Sequence, residues 1–173
     1  MTGPGLVIVW HSRTGAARAM AAAAAEAAIT AARDDGTSDP DKRVSLVEAS
    51  EANAECLLAA SGFLFVCPEN LGSMSGIMKD MFDRTYYPLL GQVEGRPYAT
   101  AIAAGSDGHG AQAQIDRIVT GWRLRRVAEP LIICLEAQTP QAILAPKVVP
   151  QAGLGRCREL GAALMCGIGL GVF

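Results

Sequence analysis

The sequence predicts a single α/β domain over residues 1–173, with a parallel sheet of five strands between two layers of helices. Five short apolar segments lack polar alternation, which is typical of strands buried on both faces of a parallel sheet. Helix-forming segments follow these strands in turn, and this alternation favours a sheet covered on both faces. Loops rich in glycine and serine follow the first, third and fourth strands, where parallel sheets bind ligands.

The individual strands and helices follow from local composition. Gly5 to Trp10 is an apolar run that predicts the first strand, and Gly15 to Arg33 is dominated by alanine, the best helix former. The remaining strands are predicted at residues 44–47, 63–67, 97–104 and within 127–136. The remaining helices are predicted at residues 52–60, 77–87 and 111–124, with a last helix after the proline-marked connection at 140–150.

Charge and hydropathy narrow the classes of partner. The formal net charge is −2, and basic residues are not in clustered excess, so a nucleic-acid surface is not expected. The acidic excess is too small to indicate a docking face for a basic protein. The apolar tail from Leu160 to Phe173 has ~14 residues, too few to span about 30 Å of hydrocarbon as a helix, so no membrane span is expected.

The cysteines and histidines indicate a protein without a metal site. The five cysteines are an odd number without a CxxC pair, so we expect reduced, mostly buried thiols in a cytoplasmic protein. Neither His11 nor His109 has a partner at the spacing of metal ligands. The alanine-rich segment follows a strand and lacks a preceding basic region, which argues against a signal sequence.

The loop after the first strand has the composition of a phosphate site. It consists of His11, Ser12, Arg13, Thr14, Gly15 and Ala16. The hydroxyls of Ser12 and Thr14, with successive backbone N–H groups, are suited to surround a phosphate at a helix N-terminus. Capping of the helix by Thr14 is the alternative. The Walker A ending and the G-x-G-x-x-G pattern of nicotinamide-binding Rossmann folds are absent from the loop.

The S-x-T-G sequence at Ser12 to Gly15 resembles the FMN-phosphate loop of the flavodoxin superfamily, usually Ser/Thr-x-Thr-Gly-x-Ser/Thr. Ala17 departs from that pattern, because a hydroxyl residue is usual there, and Arg13 or Arg18 is the alternative phosphate contact. The resemblance implies a flavodoxin-like three-layer α/β/α sandwich with strand order 2-1-3-4-5 and bound FMN. It also implies a homodimer or homotetramer, since relatives commonly form these.

The loop after the third strand gives a more specific resemblance. It is similar to P-E-Y-N-x-S-x-P-G-x-L-K-N-x-x-D, the signature of the NADPH-dependent FMN reductases, at Pro68, Glu69, Ser73, Gly76, Lys79 and Asp83. It also resembles the P-x-x-x-G-x-M-S-x-x-M loop of the quinone reductases first described as tryptophan-repressor-binding proteins, at Pro68, Gly72, Met74, Ser75 and Met78, and at Asp83 beyond it. The resemblance assigns to FMN the residues Pro68, Glu69, Asn70, Leu71, Gly72, Ser73 and Met74.

Asn70 replaces the tyrosine of the reductase signature, so this loop offers no aromatic partner to a flavin ring. Trp10, Tyr86 and Tyr87 are the candidate replacements. For the two tyrosines, packing of a helix end or of a subunit contact is the alternative.

The loop after the fourth strand is rich in glycine, which permits backbone geometries closed to other residues. It resembles the loop that lines the flavin pyrimidine in the quinone-reductase relatives. The resemblance assigns to FMN the residues Gly105, Ser106, Asp107, Gly108 and His109. His109 is a candidate donor to the reduced flavin or to a quinone oxygen, and a solvent-exposed turn histidine is the alternative.

Charged residues on two helices have simple structural explanations. Lys79 and Asp83 lie one helical turn apart, which predicts an ion pair. Arg123, Arg125 and Arg126 end a helix, where cations interact favourably with the helix dipole. Binding of the extra phosphate of NADPH is the alternative role for these arginines.

Together these features predict an FMN-binding, NAD(P)H-dependent oxidoreductase that passes electrons to a quinone, a flavin or another small-molecule acceptor. NADH or NADPH is the expected co-substrate. The flavin supplies the redox chemistry, so no catalytic side chain is assigned. A flavodoxin-like single-electron carrier is the main alternative, and a redox-sensing flavoprotein is a third. The near-neutral charge and the reductase-like second loop favour the reductase.

Overall fold

The computed structural model describes residues 5–36 and 38–173, so the first four residues of the predicted domain lie outside the described ranges. The strands are β1 (Leu6–Trp10), β2 (Val44–Glu48), β3 (Gly62–Asn70), β4 (Ser73–Met74), β5 (Pro97–Ala104), β6 (Arg125–Arg126) and β7 (Leu131–Cys134). The helices are α1 (Ala16–Asp34), α2 (Pro40–Arg43), α3 (Ala54–Leu58), α4 (Gly76–Leu89), α5 (His109–Gly121), α6 (Pro140–Leu144) and α7 (Gln151–Leu170).

The predicted strand order and fold class are confirmed. β1 lies between β2 and β3, β5 pairs with β3, and β6 and β7 pair with successive parts of β5, all in parallel. The described sheet nevertheless has seven strands rather than the predicted five. β7 lies within the predicted residues 127–136, whereas β6 precedes them and is an added strand. Between the two, Pro130 has no N–H to donate to the sheet.

β4 is the second added strand, and it changes the shape of the second loop. β3 continues beyond the predicted residues 63–67 as far as Asn70, because the chain turns back and pairs with itself. In this antiparallel pair Glu69 lies opposite Met74 and Asn70 lies opposite Ser73. The predicted loop is therefore a hairpin held by backbone hydrogen bonds.

Two apolar layers cover the sheet, one on each face. Along β1, Leu6 and Ile8 face the layer of α1 and α7, whereas Val7 and Val9 face the layer of α3, α4 and α5. The alanine-rich α1 packs closely on α7. A Cβ at Gly161 of α7 would lie only 2.1 Å from a backbone oxygen of α1. No helix within the described ranges is long and apolar enough to cross a membrane.

Candidate functional site

A cavity of about 660 Å³ lies at the carboxyl ends of β1, β3 and β5. This volume is within the range of about 300–1,000 Å³ that small-molecule sites occupy. The first loop, the β3–β4 hairpin, the end of β5 and the segment after β7 contribute its walls. Neighbouring parallel strands end at the same edge of the sheet, which brings these distant parts of the sequence together.

The first loop turns into α1 at Gly15. The φ of Gly15 is 98°, in the left-handed region that favours glycine, and Gly15 rather than Thr14 is the N-cap of the helix. The Oγ of Ser12 accepts a hydrogen bond of 3.0 Å from the Gly15 N–H, which leaves the Ser12 hydroxyl proton available to an anion. The first N–H groups of α1 have no partners within the helix, so the loop and helix are suited to bind an anion.

Residues 140–149, which we call the strap, pass beside the first loop. The backbone N–H of Lys147 donates a hydrogen bond of 2.7 Å to the carbonyl of Thr14. The Lys147 ammonium donates to three carbonyls at the C-terminal end of α6, over distances of 2.5 to 3.0 Å. The Lys147 side chain therefore stabilises the conformation of the strap, and its backbone N–H joins the strap to the first loop.

The β3–β4 hairpin places an apolar side chain at the cavity. Leu71 and Gly72 form its two-residue turn, with φ values of 55° and 70°. Two successive positive φ angles match the twist of paired strands, but they are uncommon for leucine. The Leu71 side chain is fully exposed and lines the cavity.

The third loop turns away from the cavity after Ser106. Gly108 is the N-cap of α5, and the N–H groups of its first turn bond to the carboxylate of Glu69. His109 is exposed at the start of α5 and does not line the cavity. This part of the loop therefore joins α5 to the hairpin.

A hydrogen bond of 2.9 Å between His11 Nδ1 and Ser75 Oγ joins the first loop to the start of α4. Burial lowers the pKa of His11; Glu48 opposes this effect and Arg13 adds to it. Burial also raises the pKa of the Cys67 thiol to about 12, so this cysteine stays protonated at neutral pH and is unsuited to act as a nucleophile.

Most of the residues assigned to FMN from the sequence line the cavity. These are Ser12, Arg13, Thr14, Ala16, Pro68, Glu69, Asn70, Leu71, Gly72, Gly105 and Ser106. The assigned residues outside its lining are His11, Gly15, Ser73, Met74, Asp107, Gly108 and His109. Several of the residues outside the lining hold the cavity walls in place. For example, the N–H of Met74 donates a 3.0 Å hydrogen bond to the side chain of Gln114 on α5.

Some lining residues were not assigned from the sequence. They are Ala17, Ala103, Ala104, Leu135, Ala137, Ile143, Leu144 and Lys147. The two alanines that end β5 and the leucine after β7 follow from the rule that ligands bind at the carboxyl ends of strands. The strap contains no phosphate or flavin motif, and its prolines predicted only a connection that leads into the last helix.

None of the three candidate aromatic side chains lines the cavity. Trp10 lies 6.0 Å from the guanidinium of Arg18, which packs over its ring. Tyr86 stacks on Trp122 with ring centroids 6.0 Å apart, and Tyr87 packs edge-on against Tyr86. In the described part of the chain the cavity walls are therefore aliphatic, polar or backbone, without an aromatic ring.

The two groups of charged residues lie outside the cavity. Arg125 and Arg126 form β6, which pairs with the amino end of β5, whereas the cavity lies at its carboxyl end. At about 3.3 Å per residue, the length of β5 separates them by roughly 20 Å. These arginines are therefore on the wrong edge of the sheet to meet NADPH at the cavity. Lys79 and Asp83 form the predicted ion pair, at 2.6 Å.

The residues around the cavity fit a flavin nucleotide. At one end, the Ser12 and Thr14 hydroxyls and the N-terminus of α1 have the donors that a phosphate requires. Arg13 adds an exposed cation to the lining at the same end. At the other end, the hairpin and the third loop offer backbone and aliphatic surfaces suited to a flat, largely apolar ring.

The fold defines a flavodoxin-like α/β protein, and comparisons with known structures agree. An archaeal flavodoxin has a TM-score of 0.74 and 16% identity, over 95% of this chain and 98% of its own. A WrbA-like protein from Agrobacterium tumefaciens has a TM-score of 0.62 and 18% identity, over 95% and 97%. An oxidoreductase from Corynebacterium diphtheriae has a TM-score of 0.65 and 19% identity, over 95% and 98%. At these identities the likeness shows the fold.

The family follows from the sequence model described as NADPH-dependent FMN reductase, which matches residues 11–127. The chain belongs to this family. Membership confirms FMN and a nicotinamide as the predicted cofactors. No curated protein sequence matches the chain.

Proposed function

We propose that the chain is an NAD(P)H-dependent reductase that delivers two electrons to a quinone, a free flavin or another small acceptor. For a quinone the reaction balances as NAD(P)H plus a proton plus quinone giving NAD(P)⁺ plus hydroquinone. FMN, when bound, supplies the acceptance of hydride and its onward transfer. The protein supplies binding, orientation and exclusion of water.

The absence of an aromatic side chain from the described cavity lining carries this proposal. In a protein that only carries electrons, the flavin ring can be covered by aromatic side chains. A reductase needs one face of the ring open, so that a nicotinamide and then an acceptor can stack on it. With Trp10 beneath Arg18 and Tyr86 on Trp122, these two rings are already packed elsewhere.

The side chains of the cavity have separate tasks in this proposal. Ser12 and Thr14 bind the phosphate, and Arg13 offsets its negative charge. Leu71 on the hairpin and Leu144 on the strap are both exposed and line the cavity, so they are suited to contact an apolar acceptor and exclude water. No general acid or base is assigned.

The proposal predicts ping-pong kinetics, because one open face cannot hold nicotinamide and acceptor together. Double-reciprocal plots at several quinone concentrations are expected to be parallel. Stopped-flow mixing with NADH or NADPH in the absence of oxygen should bleach the flavin absorbance. Intersecting plots would contradict a shared face.

The single-electron carrier remains the second candidate, supported by the fold shared with flavodoxins. A carrier would react with either nicotinamide over many minutes and would take up electrons from dithionite in two resolved one-electron steps. This pair of results would replace the reductase with the carrier.

A further inference from the structure

Glu69 bridges two walls of the cavity. It lies near the end of β3, and its Oε2 accepts a 2.7 Å hydrogen bond from the N–H of Gly108. Its Oε1 accepts from the N–H groups of Gly110 and Ala111, at 3.1 and 3.3 Å. The N-cap glycine has no side chain with which to cap α5, so the cap comes from β3. A carboxylate bonded to several amides at a helix N-terminus is stabilised by both charge and dipole.

Backbone packing at Gly110 reinforces this bridge. A Cβ at Gly110 would lie 2.1 Å from the carbonyl oxygen of Gly72, so the start of α5 and the hairpin turn touch backbone to backbone. Only glycine fits at such an approach. The position of the hairpin is thus coupled to the start of α5.

The two joined segments contribute opposite parts of the predicted flavin-ring site. Residues 68–72 of the hairpin line the cavity, and so do Gly105 and Ser106, which lead into α5. Glu69 also lines the cavity, yet both of its carboxylate oxygens are bonded to α5. Its hydrogen-bonding capacity is directed at the protein.

We propose that Glu69 is a positioning residue for the flavin ring. By holding α5 against the hairpin it fixes the separation of the two walls between which the ring binds. The proposal rests on the proposed flavin site and is independent of the identity of the acceptor. Under this proposal Glu69 affects how tightly the flavin ring binds. It does not affect the binding of the phosphate, which is the task proposed for the first loop.

Comparing FMN with riboflavin separates these two ends of the site. We expect Glu69→Ala to weaken the binding of both ligands by the same factor, about tenfold, because the two walls are then no longer held at a fixed separation before the ring binds. Thr14→Ala should weaken the binding of FMN and leave riboflavin unchanged. Glu69→Gln, which keeps one acceptor oxygen, should lose less than Glu69→Ala. Fluorescence titration of the full chain measures all of these affinities.

A measurement without flavin tests the bridge itself. Amide hydrogen exchange at Gly108, Gly110 and Ala111 should become faster in Glu69→Gln, while exchange in α7 stays as in the wild type. Glu51→Gln, at an exposed position before α3, is the matched control and should change neither exchange nor affinity.

Two results would overturn the proposal. One is wild-type riboflavin affinity in a folded Glu69 variant, whether or not FMN binding is weakened, and the other is unchanged amide exchange at Gly108, Gly110 and Ala111 in Glu69→Gln. These assays contain no nicotinamide and no acceptor, so a wild-type protein that binds FMN but fails to oxidise NADPH contradicts the reductase alone.

Discussion

The backbone N–H of Lys147 and the carbonyl of Thr14 form a 2.7 Å hydrogen bond that joins the strap to the first loop. The end of the cavity that is proposed to bind the phosphate is therefore built from two segments that lie far apart in the sequence. The Lys147 carbonyl also lies 3.8 Å from where a Cβ of Gly15 would be, so the strap follows the turn into α1. Because the strap also lines the cavity, we expect changes in it to alter the binding of the phosphate.

Lys147→Met tests this coupling. The variant keeps the backbone bond to Thr14 but removes the ammonium that bonds to the end of α6. We expect the free energy of unfolding to fall by about 1 kcal/mol, less than the roughly 1.5–3 kcal/mol of a hydrogen bond to a charged group because the site is partly exposed, and FMN affinity to fall severalfold. Urea unfolding and flavin titration measure the two effects.

Lys79→Met is the matched control for that variant, since the ammonium of Lys79 pairs with Asp83 on an exposed face of α4. Surface pairs contribute about 0–1 kcal/mol, so it should leave FMN affinity unchanged. Equal FMN affinities for Lys147→Met and the wild type would show that the strap does not support the site.

Thr14→Ala and Ser106→Ala should have unequal effects on FMN. Both side chains line the cavity, but Thr14 lies at the N-terminus of α1, where a doubly charged phosphate is expected. A hydrogen bond to a charged group is worth roughly 1.5–3 kcal/mol, so Thr14→Ala should lower affinity about tenfold or more, and Ser106→Ala less. Isothermal titration gives both affinities; a larger loss in Ser106→Ala would move the phosphate to the third loop.

The sequence predicted the features that depend on local pattern. The apolar run at Leu6–Trp10, the alanine-rich helix and the order of strands could be predicted because burial on both faces leaves a continuous apolar signal. The cavity lining by Ser12 and Thr14 also followed from position, since the carboxyl ends of parallel strands form one edge.

Features that depend on contacts between distant segments could not be predicted in this way. Glu69 matched a flavin motif, but its hydrogen bonds go to α5, and no spacing in the sequence signals that contact. For the strap, the prolines predicted a connection but not its place beside Thr14. That place depends on a backbone hydrogen bond, which any residue except proline can donate. The positions of Trp10 and Tyr86 likewise depend on tertiary partners.

The lowered pKa of His11 predicts how stability depends on pH. In the unfolded chain the pKa is close to 6.5, and burial lowers it in the folded protein, so the unfolded state binds more protons just below that pH. The contribution of His11 is therefore fully present above about pH 6.5 and is lost as pH falls toward the lower, folded pKa. Urea unfolding between about pH 5 and pH 8 should show this loss.

His11→Asn and His109→Asn separate the two histidines. The first variant should flatten the pH dependence in this range, and the second should leave it unchanged because His109 is exposed. A pH profile that flattens only in His109→Asn would assign the effect to the wrong histidine and contradict the prediction.

The exposed leucine of the strap offers a test of how the acceptor binds. Leu144 lines the cavity although 76% of its surface is exposed, so it has apolar area that an acceptor can cover. Fully burying a leucine side chain is worth about 1.5–3 kcal/mol, and partial cover of Leu144 by an alkyl-substituted quinone about half of that. At saturating FMN, Leu144→Ser should therefore raise the KM for such a quinone roughly fivefold and leave kcat unchanged, because the lost contact is the same in ground and transition states.

Leu170→Ser is the control, since Leu170 is 70% exposed at the end of α7 and does not line the cavity. An equal change in both variants, or a fall in kcat with constant KM, would show that Leu144 does not contact the acceptor.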